Sequence, residues 1–586
     1  MSRTPRAGRV RFRGIALLGL VAASGTALPL RPRRARGAGF DLVVAATTDV
    51  HGRLRGWDYY ANLPDSSRGL ARVATVVDSL RAAAPGRVVL VDAGDLLQGT
   101  PLTYLAARAS ARNATHPVIA AMNAMGYDAV AVGNHEFNYG LPVLRAAVAQ
   151  AHFPFLAANA VTASGRRAFP AWRIVHRGGA GGPAVAIVGA TTPGSNLWDR
   201  DNLRGRLTIG DIVPAVHAAV DSARRSGADV VVVVLHSGLD EPSSYDTAGT
   251  HVASENVAAR VAYEVPGIDL IVYGHSHKQM ADTTIGTTLL MQPKNWATSV
   301  GVAHLQLERR DGRWHVTAAR SVLIPAAGHG ESPAVLAATE RAHRATIAYV
   351  TTPVGSTAVA WRADSARVVD TPLIDLILDV ERRTAHADLA STAAFALDAS
   401  LDSGAITMAE LARLYPYENT LAAVRITGRQ LRAYLEQSAR YFGTFGTSEP
   451  AVSPTIPGYN FDIVAGADYT IDLSKPAGSR ITSLSVRGRP VADTDTFTLA
   501  LNNYRQSGGG GYAMLRGAPV VWSGQTEIRQ LLIDAVKARG RIAPSDVFTR
   551  NWSIVPAAAI APAYAAMHRS PWEHRGPRVA RPASPA

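Results

Sequence analysis

Five runs of apolar, mostly β-branched residues lead into short clusters of Asp, Asn or His, all in the first half of the chain. Phe40 to Ala46 leads to Asp49-Val50-His51, Arg87 to Ala93 to Gly94-Asp95, and Tyr127 to Val132 to Gly133-Asn134-His135-Glu136. Asp229 to Leu235 leads to His236, and Ile268 to Tyr273 to Gly274-His275-Ser276-His277. Runs of this length, alternating with helical patterns, predict an α/β fold with a mostly parallel sheet covered on both faces. Such sheets bind ligands beyond the carboxyl ends of their strands. The five segments should therefore deliver their polar residues to one edge. Asp49 and His51 are two apart, as are His275 and His277. In extended backbone that spacing points both side chains the same way.

Each cluster alone has an ordinary explanation. The chain holds 17 His, and a lone His after a strand is commonly packed or solvated. Asp after Gly forms turns or caps helices, and Asn134 alone suggests a left-handed turn. Taken together the clusters supply carboxylate, amide and imidazole donors, which suit Mn, Zn, Fe or Co. They are numerous enough for two metal ions, which in such sites lie roughly 3.5–4 Å apart, activate water and clamp a phosphoryl group.

At 586 residues and 47% apolar, the chain has material for two or more globular domains. Its formal charge of +14 invites a nucleic-acid reading, but the charge sits at the ends. Nine Arg and no acid in residues 1–40, and four Arg against one Glu in 561–586, account for twelve of the fourteen charges. A folded middle near +2 argues against polymeric nucleic acid as a partner. The lack of Cys excludes disulfides, thiolate metal sites and lipid attachment through an N-terminal cysteine. Residues 1–37 read as a targeting segment: five Arg from Arg3 to Arg13, then a small, apolar stretch, Ile15 to Leu30, broken by Ser24, Gly25 and Pro29. It is short for a membrane span, so a cleaved export signal is expected, with a periplasmic or cell-envelope destination.

Thr47–Gly52 (TTDVHG), Gly94–Gly99 (GDLLQG), Gly133–Asn138 (GNHEFN), His236–Leu239 (HSGL) and Gly274–His277 (GHSH) resemble the signature series of calcineurin-like metallophosphoesterases. From about residue 40 to 550 the chain is similar to the two-domain nucleotidases of the bacterial cell envelope. GNHEFNYGL, DVHGRL followed by Tyr59-Tyr60, YNFD (Tyr459–Asp462) and NNYR (Asn502–Arg505) look most like the bifunctional 2′,3′-cyclic-nucleotide 2′-phosphodiesterase/3′-nucleotidases. The resemblance implies a sheet-sandwich catalytic domain covered by helices over 38–328, a connecting helix over 329–351, and an α+β nucleotide-binding domain over 352–557. Residues 558–586, rich in Pro and Arg, are expected to be a disordered tail. In the second domain a strand-then-helix unit is read over Asn419 to Ser438, and strands over Phe461–Val464, Tyr469–Leu473, Ile481–Val486 and Phe497–Leu501.

The resemblance also implies roles. Asp49, His51 and His277 would hold one divalent metal, Asn134, His236 and His275 the other, with Asp95 between them and a metal-bound hydroxide attacking phosphorus in line. His135 looks like a catalytic residue that bonds the phosphoryl oxygen or protonates the leaving group, and Glu136 is either a brace for a ligand or a helix-start acid. Asn138 departs from the 5′-nucleotidase branch, where an Asp pairs with the catalytic His; an amide accepts an imidazole N–H but adds no charge. Ala390 to Ile406 carries no Arg, unlike the phosphate-binding segment of that branch. Tyr504 and Tyr459 are the expected base-stacking pair, with Phe461 competing for the second position. Asn460 and Asp462 are candidates for a base edge. The run Gly508–Gly511 lacks the Lys-Ser/Thr of a phosphate loop and is read as a flexible loop beside the ligand. The expected substrate is a small nucleotide. A 5′-nucleotidase or nucleotide-sugar hydrolase is the alternative, and a binding protein with a dead metal site a remoter one.

Overall fold

The computed structural model describes residues 39–110, 114–243, 245, 247–417 and 419–570. The targeting segment expected over 1–37 lies outside the described residues. Twelve strands build the two main sheets of the first half. They are β1 (Gly39–Thr47), β2 (Val88–Asp92), β3 (Ala129–Ala131), β4 (Phe155–Leu156), β5 (Trp172–His176), β6 (Ala184–Thr191), β7 (Val230–His236), β8 (Leu270–Tyr273), β9 (Met280–Ile285), β10 (Thr288–Gln292), β11 (Ser299–Arg310) and β12 (Arg313–Pro325).

They form two six-stranded sheets, the sandwich that the family resemblance implies; the apolar runs alone suggested one mostly parallel sheet. The first has the order β12-β11-β1-β2-β3-β4 and the second β9-β10-β8-β7-β6-β5. Within each, the central strands are parallel: β1 with β2, β2 with β3, β6 with β7, and β7 with β8. Antiparallel strands close the flanks, as β11 does against β1 and β5 against β6.

Residue alternation explains the mistake. Val230, Val232 and Val234 of β7 face Leu42, Val44 and Ala46 of β1 in a core shared by the two sheets. Val231, Val233 and Leu235 point the other way, onto the helices Ile212–Arg225 and Ala258–Glu264. On the far side, Val43 and Ala45 pack under the helices Leu70–Ala83 and Pro117–Met125. A strand covered by a sheet on one face and by helices on the other is apolar throughout. Periodicity alone does not tell which cover is which.

The helix Pro333–Thr351 follows β12 and packs along the helix Pro117–Met125. A separate core then runs from Val354 to Met567. At its centre is a five-stranded sheet of β13 (Leu389–Ala393), β14 (Thr420–Thr427), β15 (Asp462–Ala465), β16 (Thr496–Asn502) and β17 (Val520–Glu527). Their order is β15-β13-β16-β14-β17. The helix Gly428–Ala439 follows β14 directly, closed by a capping box of Thr427 and Gln430. The segment read as a disordered tail from 558 starts instead with a helix, Ile560–Met567, whose Ala563 and Met567 are buried. Ala and Met are good helix formers, and the Pro/Arg bias that suggested disorder falls mostly beyond residue 570, outside the described residues.

Two substitutions test the layer assignment by denaturant unfolding. Ile187→Ala, between the sheets, should destabilise by about 2–5 kcal/mol. Val322→Ala, on an exposed flank strand, should stay within about 0.5 kcal/mol of the parent.

Candidate metal centre

The polar clusters sit on turns at the carboxyl ends of strands from both sheets. These turns are not extended. Asp49 (φ 50°), His51 (φ 48°), Asp95 (φ 64°), His275 (φ 72°) and His277 (φ 54°) all have left-handed backbone. The two-residue spacing therefore does not align side chains by strand alternation. A left-handed residue turns the chain sharply, and Asp and His tolerate it better than branched residues. The turns brace one another: Asp49 N–H donates to the Gly94 carbonyl and His51 N–H to that of Asp95, each at 2.9 Å. Close approach dictates two glycines. A β-carbon at Gly133 would lie 2.2 Å from Asp95 Oδ1, and one at Gly274 2.0 Å from Thr48 Oγ1.

Seven of the expected ligands come together. Donor atoms of Asp49, His51, Asp95 and His277 lie within 4.8 Å of one another, as do those of Asp95, His236 and His275. Asp95 is common to both groups. Asn134 joins the second, its Oδ1 at 2.9 Å from His236 Nε2. His51 Nδ1–H donates to the Gln98 carbonyl at 2.9 Å and His236 Nδ1–H to the Ala93 carbonyl at 2.8 Å. These bonds leave each Nε2 with its lone pair directed inward. His51 Nε2 then faces His277 Nε2 at 3.1 Å, and His236 Nε2 faces His275 Nδ1 at 3.2 Å. Facing lone pairs at such distances repel unless a proton or cation lies between them. The donor set thus fits divalent ions.

The charges agree. Burial opposes ionisation of Asp49, but the His277 hydrogen bond and charge overcome it and hold the pKa to about 2. Asp95 is likewise held well below the usual carboxylate range, against burial, chiefly by His236. Burial pushes His51 down to about 3, keeping it a neutral donor. For His236 burial also disfavours the cation, yet Asp95 at 3.1 Å outweighs it and raises the pKa to about 10. The position between them attracts positive charge. Glu136 starts no helix. Its carboxylate accepts N–H bonds from Gly133, Asp95, Leu96 and Leu97, pinning the Asp95 turn.

His135 is only partly buried, with Nε2 3.9 Å from Asp95 Oδ2. Its Nδ1–H donates to Asn138 Oδ1 at 2.6 Å, and Asn138 Nδ2–H donates to Asp199 Oδ1 at 2.9 Å. Burial pushes the Asp199 carboxyl up to about 6, partly offset by that bond from Asn138. Asn138 also lines a cavity of about 420 Å³ between the two halves, with Tyr60, Gln98, Thr420, Glu527 and Arg529. Gln98 bonds Glu527 across this boundary, and the Arg529 guanidinium lies 3.7 Å from the Tyr60 ring centroid.

In the second half, Tyr504 is 49% exposed at the carboxyl end of β16, and Tyr459 is half-buried. Phe461 is fully buried among Tyr441, Phe442 and Trp552, so no base can stack on it. Asp462 is buried too and is taken up by Arg505, at 2.7 and 2.8 Å, and by Tyr434. It reads no base edge. Asn460 Oδ1 accepts from the same guanidinium at 3.1 Å, as does the Tyr459 carbonyl at 2.7 Å. The Gly508–Gly511 run is required by packing: a β-carbon at Gly509 would lie 2.5 Å from the Tyr504 ring, and one at Gly510 2.3 Å from Arg505.

Residues 42–279 match the family of calcineurin-like phosphoesterases, and residues 348–517 match the 5′-nucleotidase C-terminal domain. The 2′,3′-cyclic-nucleotide 2′-phosphodiesterase/3′-nucleotidase of Haemophilus influenzae is 31% identical, over 88% of this chain and 88% of its own length. The trifunctional nucleotide phosphoesterase YfkN of Bacillus subtilis is 30% identical over 88% of this chain, which spans 39% of that longer protein. A crystal structure of a putative 5′-nucleotidase from Staphylococcus aureus shares the fold, with a TM-score of 0.68, 24% identity, and coverage of 88% of this chain and 100% of that one. The chain belongs to the calcineurin-like metallophosphoesterases. It is a metallophosphoesterase with a 5′-nucleotidase C-terminal domain, of a family that uses divalent metals and acts on small nucleotides.

Several residues around the metallophosphoesterase centre carried no sequence signal. Glu255 lies 3.5 Å from His275 Nε2, and the Trp198 ring stacks on the His275 ring at 5.6 Å. Glu255 comes from a loop and Trp198 from the single helical turn Ser195–Trp198, neither with ligand-like spacing. Arg505 had a signal, within Asn502–Arg505, but its part in holding Tyr459 and Tyr504 together did not. Tyr417 stands with that pair: burial raises its hydroxyl to about 12, and Tyr459 and Tyr504 add to the shift.

Glu136→Gln offers one acceptor oxygen where the carboxylate offers two, so a backbone N–H of the Asp95 turn loses its acceptor. Metal affinity should fall about 10–100-fold, measured by competition with a chromogenic chelator. Unchanged affinity would mean that Glu136 does not hold Asp95 in position.

Proposed function

We propose that this metallophosphoesterase hydrolyses 2′,3′-cyclic nucleotides to 3′-nucleotides, and then 3′-nucleotides to nucleoside and phosphate, with two divalent ions sharing Asp95. The observation that carries this reading is the pair of facing imidazole contacts on either side of that one buried carboxylate. Asp49, His51 and His277 would hold one ion, and Asn134, His236 and His275 the other. Bound there, the ions supply Lewis-acid charge neutralisation and a water of lowered pKa. The mixed N,O donors suit Mn, Zn, Co or Fe.

The chain's own groups orient and protonate. His135 commits Nδ1–H to Asn138 and turns Nε2 toward the reaction side. As the imidazolium, with Nε2 protonated as well, it can donate to a phosphoryl oxygen or hand that proton to the leaving sugar oxygen. In the first reaction one water is consumed, the P–O2′ bond breaks and O2′ takes the proton. In the second, another water is consumed, P–O3′ breaks and O3′ takes it. Tyr504 and Tyr459 would hold the base by stacking, which favours any base with a π-face.

The activity for which the Haemophilus relative is named supports the cyclic and 3′ substrates. So do the uncharged Asn138 and the Arg-free Ala390 to Ile406, which lacks a fork donor for a terminal phosphate. The basic, then apolar N-terminus supports export to the cell envelope. Among the described residues no helix is long and apolar enough to cross a membrane.

Manganese-supplemented protein given 2′,3′-cyclic AMP, 3′-AMP and 5′-AMP in parallel should convert the cyclic diester to 3′-AMP and then adenosine, leaving 5′-AMP largely intact. Preferred cleavage of 5′-AMP would transfer the protein to the 5′-nucleotidase reading. Tyr504→Ala should raise KM for nucleotides about 10-fold or more, given roughly 1–3 kcal/mol per stacked base. It should spare bis(p-nitrophenyl) phosphate; equal loss on both substrates would remove the stacking role.

A further inference from the structure

We infer that Asp199 is a positioning residue of the phosphoesterase reaction: through Asn138 it selects the amide orientation that holds His135 Nδ1–H and leaves Nε2 as the nitrogen facing the substrate. This rests on the proposed role of His135 at the phosphoryl group.

The argument starts from the two-fold ambiguity of an amide. Asn138 carries an acceptor oxygen and a donor nitrogen of nearly equal shape. Facing His135 Nδ1 with oxygen, it accepts from an Nδ1–H tautomer. Facing it with nitrogen, it would donate to Nδ1 and force the proton onto Nε2. Nothing within the Asn138 side chain chooses between these. The choice lies with its second partner. Asp199 Oδ1 lies 2.9 Å from Asn138 Nδ2 and, as a carboxylate, can only accept. That bond turns Nδ2 toward Asp199 and Oδ1 toward His135, where the contact is 2.6 Å.

Besides Asn138, the carboxylate meets only the side chain of Asn202, in its own turn, among the described residues. Asp199 precedes the single helical turn Arg200–Leu203, where an Asp ordinarily caps the helix, yet its side chain makes no cap bond. It is fully buried, an unfavourable setting for a carboxylate that does nothing. Its segment is docked where the relay needs it. The ring of Trp198 stacks on His275, and Gly194 leaves room for that ring, since a β-carbon there would lie 2.2 Å from it. Asn202 Nδ2–H donates to the Phe137 carbonyl at 2.9 Å, tying the turn to the His135 loop. A negative charge thus stands behind the catalytic histidine, one hydrogen bond further out than if residue 138 were itself an acid.

This arrangement makes the identities of residues 138 and 199 interdependent. An Asp at 138 would face the Asp199 carboxylate across a buried 2.9 Å contact, and two like charges cannot both ionise there. An Asp at 138 with an Asn at 199 would reverse the relay while keeping its charge and both hydrogen bonds.

Four variants test it on 2′,3′-cyclic AMP and on bis(p-nitrophenyl) phosphate, with metal content and thermal melting recorded for each. Asp199→Ala should lower kcat about 10-fold or more, with KM within about 2-fold, because orientation of a general acid or base is lost while binding is kept. Asp199→Asn, which retains an acceptor oxygen, should lose less. Asn138→Asp should lose about 10-fold or more through like-charge repulsion. The double variant N138D/D199N should return to within about 3-fold of the parent, a strong positive coupling. In metal-free protein labelled with 15N-histidine, the His135 signals, assigned by their loss in His135→Gln, should report a protonated Nδ1 in the parent and a changed tautomer in Asp199→Ala. A fully active Asp199→Ala, or a double variant whose loss is the product of the single losses, would overturn the inference. If the parent hydrolyses neither ester, the reading of the site fails instead, and the inference falls with it.

Discussion

The centre is organised around one buried carboxylate. Asp95 is almost wholly removed from water, and an isolated ion in such a place costs several kcal/mol even after relaxation. The fold offsets this from every side. His135 N–H donates to Oδ1 at 2.8 Å, His236 Nε2 lies 3.1 Å from Oδ2, and Glu136 holds the backbone of the turn. Two groups of inward-facing donors meet at this residue, so positive charge bound in either group is attracted by the same oxygens. The second carboxylate, Glu136, gains in turn from being spent on N–H donors. Burial and the neighbouring Asp95 raise its pKa, and four backbone N–H groups offset that penalty.

Asp95 can play this part only because two sheets meet there. β2 brings it from one sheet, and β7 brings His236 from the other. Neither sheet alone holds a complete donor set, and the apolar layer between them sets the distance between the halves of the site. The ligand turns carry left-handed residues that cost of order 1–3 kcal/mol each where context does not compensate. Bonds from one turn to the next, such as Asp49 to Gly94 and His51 to Asp95, keep them in that conformation. The metal centre and the sandwich therefore support each other.

The second domain shows the same economy with one cation. Arg505 is buried and bound to Asp462, Asn460 and the carbonyls of Tyr459 and Gly509. It ties the segment before β15 to the turn after β16, which are 43 residues apart in the case of Asp462. The exposed Tyr504 and half-buried Tyr459 project from these two segments. Asp462, which looked like a base reader, is an internal strut, and Phe461, the competing candidate for the second stacking face, is core.

Much was legible in the sequence. The five apolar runs became β1, β2, β3, β7 and β8, and the helix after Thr427 and the strands near 461, 469, 481 and 497 appear within a residue or two. Those features depend on neighbours in the chain, on periodicity, and on turn and cap chemistry. The candidate ligand residues were legible for a different reason: any one Asp, Asn or His after a strand is ordinary, but five such clusters stand in one series along the first half of the chain. The family resemblance implied two facing sheets, but the apolar runs by themselves did not, since apolar cover looks alike whether sheet or helix supplies it. Tertiary structure alone decided that left-handed turns, not strand alternation, aim Asp49, His51, His275 and His277. It also placed Asp199 behind Asn138, Glu255 beside His275 and Phe461 in the core, because contacts between different segments of the chain follow from how the layers pack, which no local pattern records.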